Sequence, residues 1–145
     1  MHDIYEPPTV TAAQFSMPYV ASAAFHKGSP GLHAFEEPAL RDEKVLAFAR
    51  KVKIVLDPEI IPYFPANEPS KVTVKMKDGR SYSKTVIHSK GTPENPMTPD
   101  EFTAKFKTFA SGVIPGQHAE ETIELIWKLD RLGNVMELSS LLCKS

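Results

Sequence analysis

The chain has 145 residues, of which 41% are hydrophobic and 24% are charged, and its formal net charge is −1. This length suits one domain with a core that needs no covalent staples. The charge balance argues against a partner such as duplex nucleic acid, whose binders are usually basic. No apolar run is long enough to span a bilayer, so we expect no membrane partner.

Both ends of the sequence bear on the cellular compartment. The first residues, Met1 to Glu6, place no basic segment before an apolar one, so we expect no signal peptide. Cys143 is the only cysteine, which rules out an intrachain disulfide, and we expect its thiol to be exposed and inert. A reducing cytoplasm is therefore the expected compartment.

The first third of the chain predicts a buried helix after an extended lead-in over residues 1–10. Residues 11–27 are apolar or small nearly all round, and Gly28 closes the predicted helix. Pro18 falls inside this stretch and removes one backbone hydrogen bond. We therefore expect a kink, or an unpaired carbonyl at Gln14.

The middle of the chain predicts a second helix over residues 40–51 and then a small antiparallel sheet. Residues 53–56 (KIVL) predict a short strand. Residues 71–77 alternate strictly between polar and apolar, which predicts a strand with one wet face. Asp78-Gly79 is a hairpin signal, and the return strand is predicted over residues 80–88.

The length of the hairpin loop decides which residues face each other. A two-residue loop places Val74 opposite Ser83. A three-residue loop, with Gly79 in the left-handed conformation, places Val74 opposite Tyr82. The second register is preferred because it pairs an apolar with an aromatic side chain on the core face.

The last third predicts three helices. Thr98-Pro99-Asp100-Glu101 forms a capping box with proline at the first helical position. An apolar stripe follows, made by Phe102, Phe106, Phe109 and Val113. A helix over residues 117–131 is expected to turn Ile123, Ile126 and Trp127 inward, and a short last helix begins near Asn134. The predicted class is α+β: a single domain over residues 1–145 with a small antiparallel sheet and a central hairpin, flanked by N-terminal and C-terminal helices.

Several standard chemical motifs are missing from the sequence. It has no glycine-rich phosphate loop, no Gly-x-Ser-x-Gly elbow and no paired Cys or His spacing suited to zinc. The five histidines are scattered along the chain. We therefore expect no metal site.

One face of the first predicted helix carries Phe15, Tyr19, Ser22 and His26, spaced by four, three and four residues. It has two interpretations. Aromatic stripes at helical spacing usually belong to a core, and His26 would then complement the negative end of the helix dipole. Alternatively, the face lines a cleft and offers a phenol and a hydroxyl to a ligand. In that case we expect the Tyr19 hydroxyl to point toward the open side, and the face to be exposed or covered by a second copy in a homodimer.

Two further regions have both a structural and a functional interpretation. Residues 88–91 (HSKG) leave the hairpin, and such loops are either solvated connections or carriers of function. The hairpin is also basic, because it carries Lys71, Lys75, Lys77, Arg80 and Lys84. These side chains either protect an edge strand from pairing or attract a polycarboxylate.

An ordered set of short runs resembles the C-terminal domain of the MmgE/PrpD family, which includes 2-methylcitrate dehydratases, cis-aconitate decarboxylase and iminodisuccinate epimerase. Residues 13–19 (AQFSMPY) resemble the helix that opens this domain. Residues 74–80 (VKMKDGR), 88–96 (HSKGTPENP) and 127–130 (WKLD) resemble its hairpin, its signature loop and a closing helix. Each run is weak alone, but their order covers nearly the whole chain.

The resemblance implies a cofactor-independent enzyme of small polycarboxylates, whose active site lies between this domain and a large helical N-terminal domain. The family's chemistry centres on a carbon next to a carboxylate, and its main Lys and His acid–base set comes from outside this chain. By position, Tyr19 lies at the cleft, with Gln14 and Ser16 as neighbouring substrate-binding candidates. Lys90 and Gly91 match the family's loop motif, without an assigned role.

Two hypotheses about function follow. In the first, the chain is the substrate-cleft domain of a 2-methylcitrate dehydratase-like lyase or isomerase in propionate metabolism. It would be inactive alone and would need the helical domain in cis or in trans. In the second, it is a stand-alone, non-catalytic binding or interaction module. An exposed apolar patch around the first helix would favour the first hypothesis.

Overall fold

The computed structural model describes residues 4–28 and 31–143. This part of the chain contains six α-helices and one two-stranded antiparallel sheet, which confirms the predicted α+β class. The chain divides into two compact units, Met1–Pro62 (unit 1) and Tyr63–Ser145 (unit 2), and each is described by itself. The single domain over residues 1–145 stays a prediction.

Unit 1 begins with two helices where the sequence predicted one. Helix α1 is Val10–Gln14 and helix α2 is Met17–Lys27. Ser16 separates them in an extended conformation, and its hydroxyl accepts the Tyr19 N–H at 3.1 Å, so it caps α2. The prediction of one helix with an interior proline is therefore wrong. Pro18 lies in the first turn of α2, where a missing N–H costs nothing.

Gly28 ends α2 with φ 82, as predicted. Two 3₁₀ turns, Leu32–Phe35 and Ala39–Arg41, lead from there to helix α3, Glu43–Ala49. This helix is shorter than the predicted 40–51, because the Asp42 side chain accepts the Lys44 N–H at 3.0 Å and caps it. The buried core of unit 1 is made by Ala13, Tyr19, Ala23, Ala34, Leu40, Val45 and Leu46.

The strand predicted over residues 53–56 is absent. Residues 52–57 have no regular structure, and Val55 and Leu56 are 77% and 85% exposed. A strand exists only through hydrogen bonds to a neighbouring strand, and this segment has no such neighbour in the described part of the chain. The chain then passes through a third 3₁₀ turn, Ile61–Tyr63.

The hairpin of unit 2 consists of β1, Ser70–Lys75, and β2, Ser81–Val86. Val74 lies opposite Tyr82, and Gly79 has φ 88, so the predicted three-residue loop is confirmed. The closing hydrogen bond runs from the Met76 N–H to the Arg80 carbonyl at 2.7 Å.

The apolar face of the hairpin is not a core face, which corrects the reason given for this register. Val72 and Tyr82 are 57% and 55% exposed. A two-stranded ribbon covers neither of its own faces, so an apolar face stays open until another element packs on it.

Three helices complete unit 2. Helix α4 is Pro99–Ala110, and the predicted capping box is confirmed: the Thr98 hydroxyl accepts the Glu101 N–H, and the Glu101 carboxylate accepts the Thr98 N–H. Helix α5 is Gly116–Ile126, and a separate 3₁₀ turn, Leu129–Arg131, takes the place of the predicted continuation to residue 131. The last helix, α6, is Met136–Leu141.

Few residues of unit 2 are buried. Among its described residues, Ala110, Ala119 and Thr122 are enclosed, while Ile126 and Trp127 are 45% and 55% exposed. The prediction that these last two side chains point inward is therefore wrong. The large side chains of α4 and α5 are half-buried or exposed.

Candidate functional site

Tyr19 is the residue on which the cleft hypothesis depended most. It is 1% exposed, and its hydroxyl donates to the carbonyl oxygens of Ala34 at 2.7 Å and Ala39 at 3.0 Å. Burial, with the charge of Asp42, raises the pKa of the phenol above its ordinary 10.0, so the phenol stays a donor at neutral pH. The prediction that this hydroxyl points toward the open side is wrong, because the polar face of α2 is turned onto the two 3₁₀ turns of its own unit.

Ser16 and Ser22 are also fully buried, and their hydroxyls also donate to backbone carbonyls of unit 1. Ser16 caps α2 and donates its hydroxyl to the Ile4 carbonyl, while the Ser22 hydroxyl donates to the Val45 carbonyl at 2.6 Å. Gln14, at the end of α1, has an exposed side chain. The assignments of Tyr19, Gln14 and Ser16 as substrate-binding residues stay predictions.

The four-residue stripe predicted on the first helix is divided by the break before α2. Tyr19 and Ser22 are buried, whereas Phe15 lies outside α2 and is 67% exposed. His26 is also exposed and meets the Phe48 ring edge-on at 5.3 Å. The Ser-x-Pro sequence at the start of α2 is the signal that could have revealed this division.

The loop after the hairpin is held from several sides. His88 Nδ1 lies 3.0 Å from the Asn67 side-chain oxygen, and the Asn95 amide donates to the His88 carbonyl at 3.1 Å. Gly91 has φ 98, and its N–H donates to the Asn95 carbonyl at 2.8 Å. These contacts give the loop a fixed shape.

Lys90 ties the same loop to the beginning of α4. Its ammonium lies 2.9 Å from the Glu101 carboxylate. Two hydrogen bonds lower the pKa of Glu101 below its ordinary 4.5: the larger effect comes from the Thr98 N–H and the smaller from Lys90. Because an acidic side chain already occupies Lys90, this lysine is poorly placed to bind the carboxylate of a substrate.

Two surfaces differ in their attraction for an anionic substrate. An open concavity of about 360 Å³ in unit 1 is lined by the carboxylates of Glu6, Glu37 and Glu43 and by Arg41. Arg50 approaches Glu6 at 2.6 Å, beside this concavity. The excess of negative charge would repel a polycarboxylate. The hairpin, in contrast, carries five basic side chains and one acidic side chain, Asp78, which pairs with Arg80 at 2.6 Å.

Unit 2 also has an apolar groove that sequence reasoning missed. It encloses about 380 Å³ between α4 and α5 and is lined by Phe102, Thr103, Phe106, Ile123, Ile126 and Trp127. The signals were present as two apolar stripes. The second stripe, which carries Ile123, Ile126 and Trp127, was expected to point inward.

Two classes of feature are missing from residues 4–28 and 31–143. No three His, Cys, Asp or Glu side chains are grouped so that they could hold a metal ion. Over the same residues, no helix combines the length and the apolar character needed to cross a membrane. Cys143 is an exposed free thiol, as predicted.

The described residues define an α+β fold with a hairpin that turns at Gly79 and with exposed apolar surfaces. The MmgE/PrpD C-terminal domain family matches residues 2–131, so the chain belongs to this family. The chain is 26% identical over 141 residues to the cis-aconitate decarboxylase-like protein oryM of Aspergillus oryzae, covering 94% of this chain and 28% of that protein. It is 25% identical over 130 residues to cis-aconitate decarboxylase of Mus musculus, covering 90% of this chain and 26% of that protein. The chain thus spans about a quarter of the length of these relatives.

Proposed function

We propose that this chain is the C-terminal, substrate-cleft domain of a lyase or isomerase that acts on small polycarboxylates, and that it is inactive without a helical domain. The observation that carries this proposal is the exposed apolar surface at the start of α2, where Phe15 and Met17 are 67% and 53% exposed. Large apolar side chains beside one another on a surface mark a face that another polypeptide covers.

The total accessible surface supports the same conclusion. The chain exposes 10925 Å². Two separate compact bodies of the lengths of units 1 and 2 would together expose only about 9,000 Å² by the usual scaling of surface with mass. The difference is larger than the roughly 800 Å² that each partner contributes to a standard protein interface. A large, stable domain contact would use this surface.

The favoured reaction is decarboxylation, because one relative is named cis-aconitate decarboxylase and the other a cis-aconitate decarboxylase-like protein. Dehydration of 2-methylcitrate is the second candidate. In a decarboxylation the bond between the substrate carbon and its carboxylate breaks, CO₂ leaves, and the remaining electron pair must be captured by a proton. The described part of the chain presents no acid–base pair in a cleft, so that proton would come from the helical domain.

The basic hairpin is the best candidate in this chain for attracting the substrate. Lys75 ends β1 opposite Ser81, Lys77 follows in the loop, and both lysines are exposed. Such a surface raises the local concentration of a polycarboxylate without fixing its orientation.

The stand-alone binding module remains the second candidate function. The observation in its favour is the burial of Tyr19, whose hydroxyl is already bonded within unit 1. A module of this kind would bind a polycarboxylate or a partner protein without catalysing a reaction.

The test begins with the reading frame immediately upstream of Met1. If it encodes a helical domain, that polypeptide is coexpressed with this chain, and CO₂ release from cis-aconitate and water loss from 2-methylcitrate are measured. We expect turnover by the two together and none by either alone. Clear turnover by the isolated chain, abolished by Tyr19→Phe, would contradict the proposal. No helical domain upstream, with calorimetric binding but no turnover, would favour the module.

A further inference from the structure

The turn of the hairpin contains a chemically reactive pair of residues, Asp78 and Gly79. It is the only place in the sequence where a glycine follows an aspartate or an asparagine. Both residues are exposed, and a Cβ added at Gly79 would meet no heavy atom of the described chain within 4 Å, apart from its own neighbours. Because glycine has no side chain to shield its nitrogen, this nitrogen approaches the preceding side chain more easily than that of other residues.

The reaction open to such a pair is an internal cyclisation. The Gly79 nitrogen attacks Cγ of Asp78, so a C–N bond forms while the N–H proton and the hydroxyl of the protonated carboxyl group leave together as water. Water then adds to either carbonyl of the five-membered succinimide and breaks one of its two C–N bonds. One product is aspartate again, and the other is isoaspartate, in which the main chain runs through Cγ. The water released in the first step is consumed in the second, so no further reactant is needed.

Each reacting group is held by another partner in the folded hairpin. The Arg80 N–H donates to Oδ1 of Asp78 at 3.0 Å, and Arg80 Nε donates to Oδ2 at 2.8 Å. A second guanidinium nitrogen of Arg80 lies 2.6 Å from Oδ2. The Gly79 N–H donates to the Met76 carbonyl at 3.2 Å. Cyclisation would have to break the bonds of the carboxylate to Arg80 and the bond of the nitrogen to Met76.

Arg80 also keeps the carboxyl group in its less reactive form. The side-chain hydrogen bond of Arg80, and then its backbone hydrogen bond, lower the pKa of Asp78 below its ordinary 3.8. The first step needs the protonated form, because an unprotonated oxygen cannot leave Cγ as water. The contact with Arg80 therefore restrains the reaction in two ways: it orients the carboxylate, and it disfavours the protonated form.

We propose that Asp78-Gly79 is a site of spontaneous isomerisation to isoaspartate, and that Arg80 slows this modification by holding the Asp78 carboxylate. Isoaspartate adds one atom to the main chain inside the three-residue loop, so the register that pairs Val74 with Tyr82 would lose its matching turn. The proposal does not depend on the reaction or the substrate of the chain, because it needs only the geometry of the turn.

The first test follows isoaspartate in the full chain during incubation at neutral pH and elevated temperature. Endoproteinase Asp-N cuts before aspartate but not before isoaspartate, so mass spectrometry of the digest locates the modified residue. We expect isoaspartate to accumulate at Asp78 before any other position. The chain unfolded in guanidinium chloride should form it about tenfold faster, a factor that corresponds to freeing the conformation of one residue.

The second test removes the arginine and leaves the reactive pair intact. Arg80→Ala should raise the rate at Asp78 severalfold, toward that of the unfolded chain, while far-UV circular dichroism shows that the chain stays folded. Arg80→Lys keeps a positive charge without the guanidinium fork and should give an intermediate rate. Arg131→Ala is the matched control, because Arg131 Nε lies 3.6 Å from the Asp130 carboxylate but no glycine follows Asp130. It should leave isoaspartate at both aspartates unchanged.

Three results would overturn the proposal. One is a chain without isoaspartate at Asp78 even after incubation in guanidinium chloride, since the pair would then not be a reactive site. Another is a folded native chain that reacts as fast as the unfolded chain. The third is a folded Arg80→Ala variant with the native rate, since the arginine would then not restrain the carboxylate. If Arg80→Ala does not fold, the same comparison between Arg80→Lys and the native chain decides.

Discussion

Units 1 and 2 differ in how many large side chains they enclose. Unit 1 encloses Tyr19, Val45 and Leu46 together with small residues, and its buried hydroxyls donate to the carbonyls of distant segments. In the described part of unit 2 the enclosed residues are Ala110, Ala119 and Thr122, while the aromatic and aliphatic side chains are half-buried or exposed. Both units expose large apolar side chains, but only unit 1 also encloses several of them in a core.

The difference shows in the hydrogen bonds that hold each unit. In unit 1, the hydroxyls of Ser16, Tyr19 and Ser22 reach residues 12 to 23 positions away. In unit 2, bonds of similar reach lie at half-buried or exposed side chains: His88 Nδ1 meets the Asn67 oxygen 21 positions away, and Lys90 meets Glu101. A buried polar group that loses its partner costs more than an exposed one, because water satisfies the exposed group.

The largest effect is expected from Tyr19→Phe. This change removes the hydroxyl that donates to the buried carbonyl oxygens of Ala34 and Ala39, of which Ala39 still accepts the Asp42 N–H at 3.2 Å. An unsatisfied buried polar group costs about 1–3 kcal/mol, so the free energy of unfolding should fall by that amount. Urea denaturation followed by circular dichroism measures it, and hydrogen exchange should show lost protection in α2 and α3.

Tyr82→Phe is the matched control, because Tyr82 is 55% exposed and its hydroxyl only accepts a bond from Arg80 at 3.2 Å. We expect a change within about 0.5 kcal/mol, as for most surface substitutions. Equal effects of the two substitutions would remove the distinction between a unit anchored by buried hydroxyls and a unit without such anchors.

The features that the sequence predicted correctly are those with local causes. The Thr98 capping box, the Gly28 helix end and the left-handed Gly79 each depend on contacts within a few residues. The family resemblance was also confirmed, since it depends on the order of several short runs.

The features that were predicted wrongly depend on what covers a face. Helical spacing placed Tyr19 and Ile126 on apolar faces, but it could not say that the first is enclosed by 3₁₀ turns and the second by nothing in unit 2. Residues 53–56 have strand-like composition, yet a strand also needs a partner. The helix break at Ser16 was missed because Pro18 was interpreted as an interior residue instead of a first-turn residue.

A smaller effect is expected from Thr98→Ala. The Thr98 hydroxyl accepts the Glu101 N–H at 3.2 Å, and loss of an N-cap side chain usually costs about 1 kcal/mol. Because this bond is exposed and joins residues three positions apart, hydrogen exchange should show the loss in α4 and little change in the hairpin. Thr108→Ala, in the middle of the same helix, is the control, since its hydroxyl bonds only to the Ala104 carbonyl one turn back. A loss of protection spread evenly over unit 2 would show that its elements are more strongly coupled than we infer.

The smallest effect concerns the decline of stability at acid pH. The Thr98 N–H, and after it Lys90, lower the pKa of Glu101 from its ordinary 4.5, so the folded state binds a proton at this carboxylate less tightly than the unfolded chain does. Its contribution is present above pH 4.5 and is lost as the pH falls through the lower folded-state pKa. Glu101→Gln should therefore flatten the decline of the urea midpoint below pH 4.5, as reported by Trp127 fluorescence in unit 2.

Because Glu101 is exposed, 0.5 M salt should shrink the difference between native and variant chains. Glu68→Gln, at an exposed glutamate outside any helix, should leave the acid limb as it is. If both variants flatten the decline equally, the net charge of the chain sets the acid sensitivity of unit 2, and the contacts of Glu101 with Thr98 and Lys90 do not.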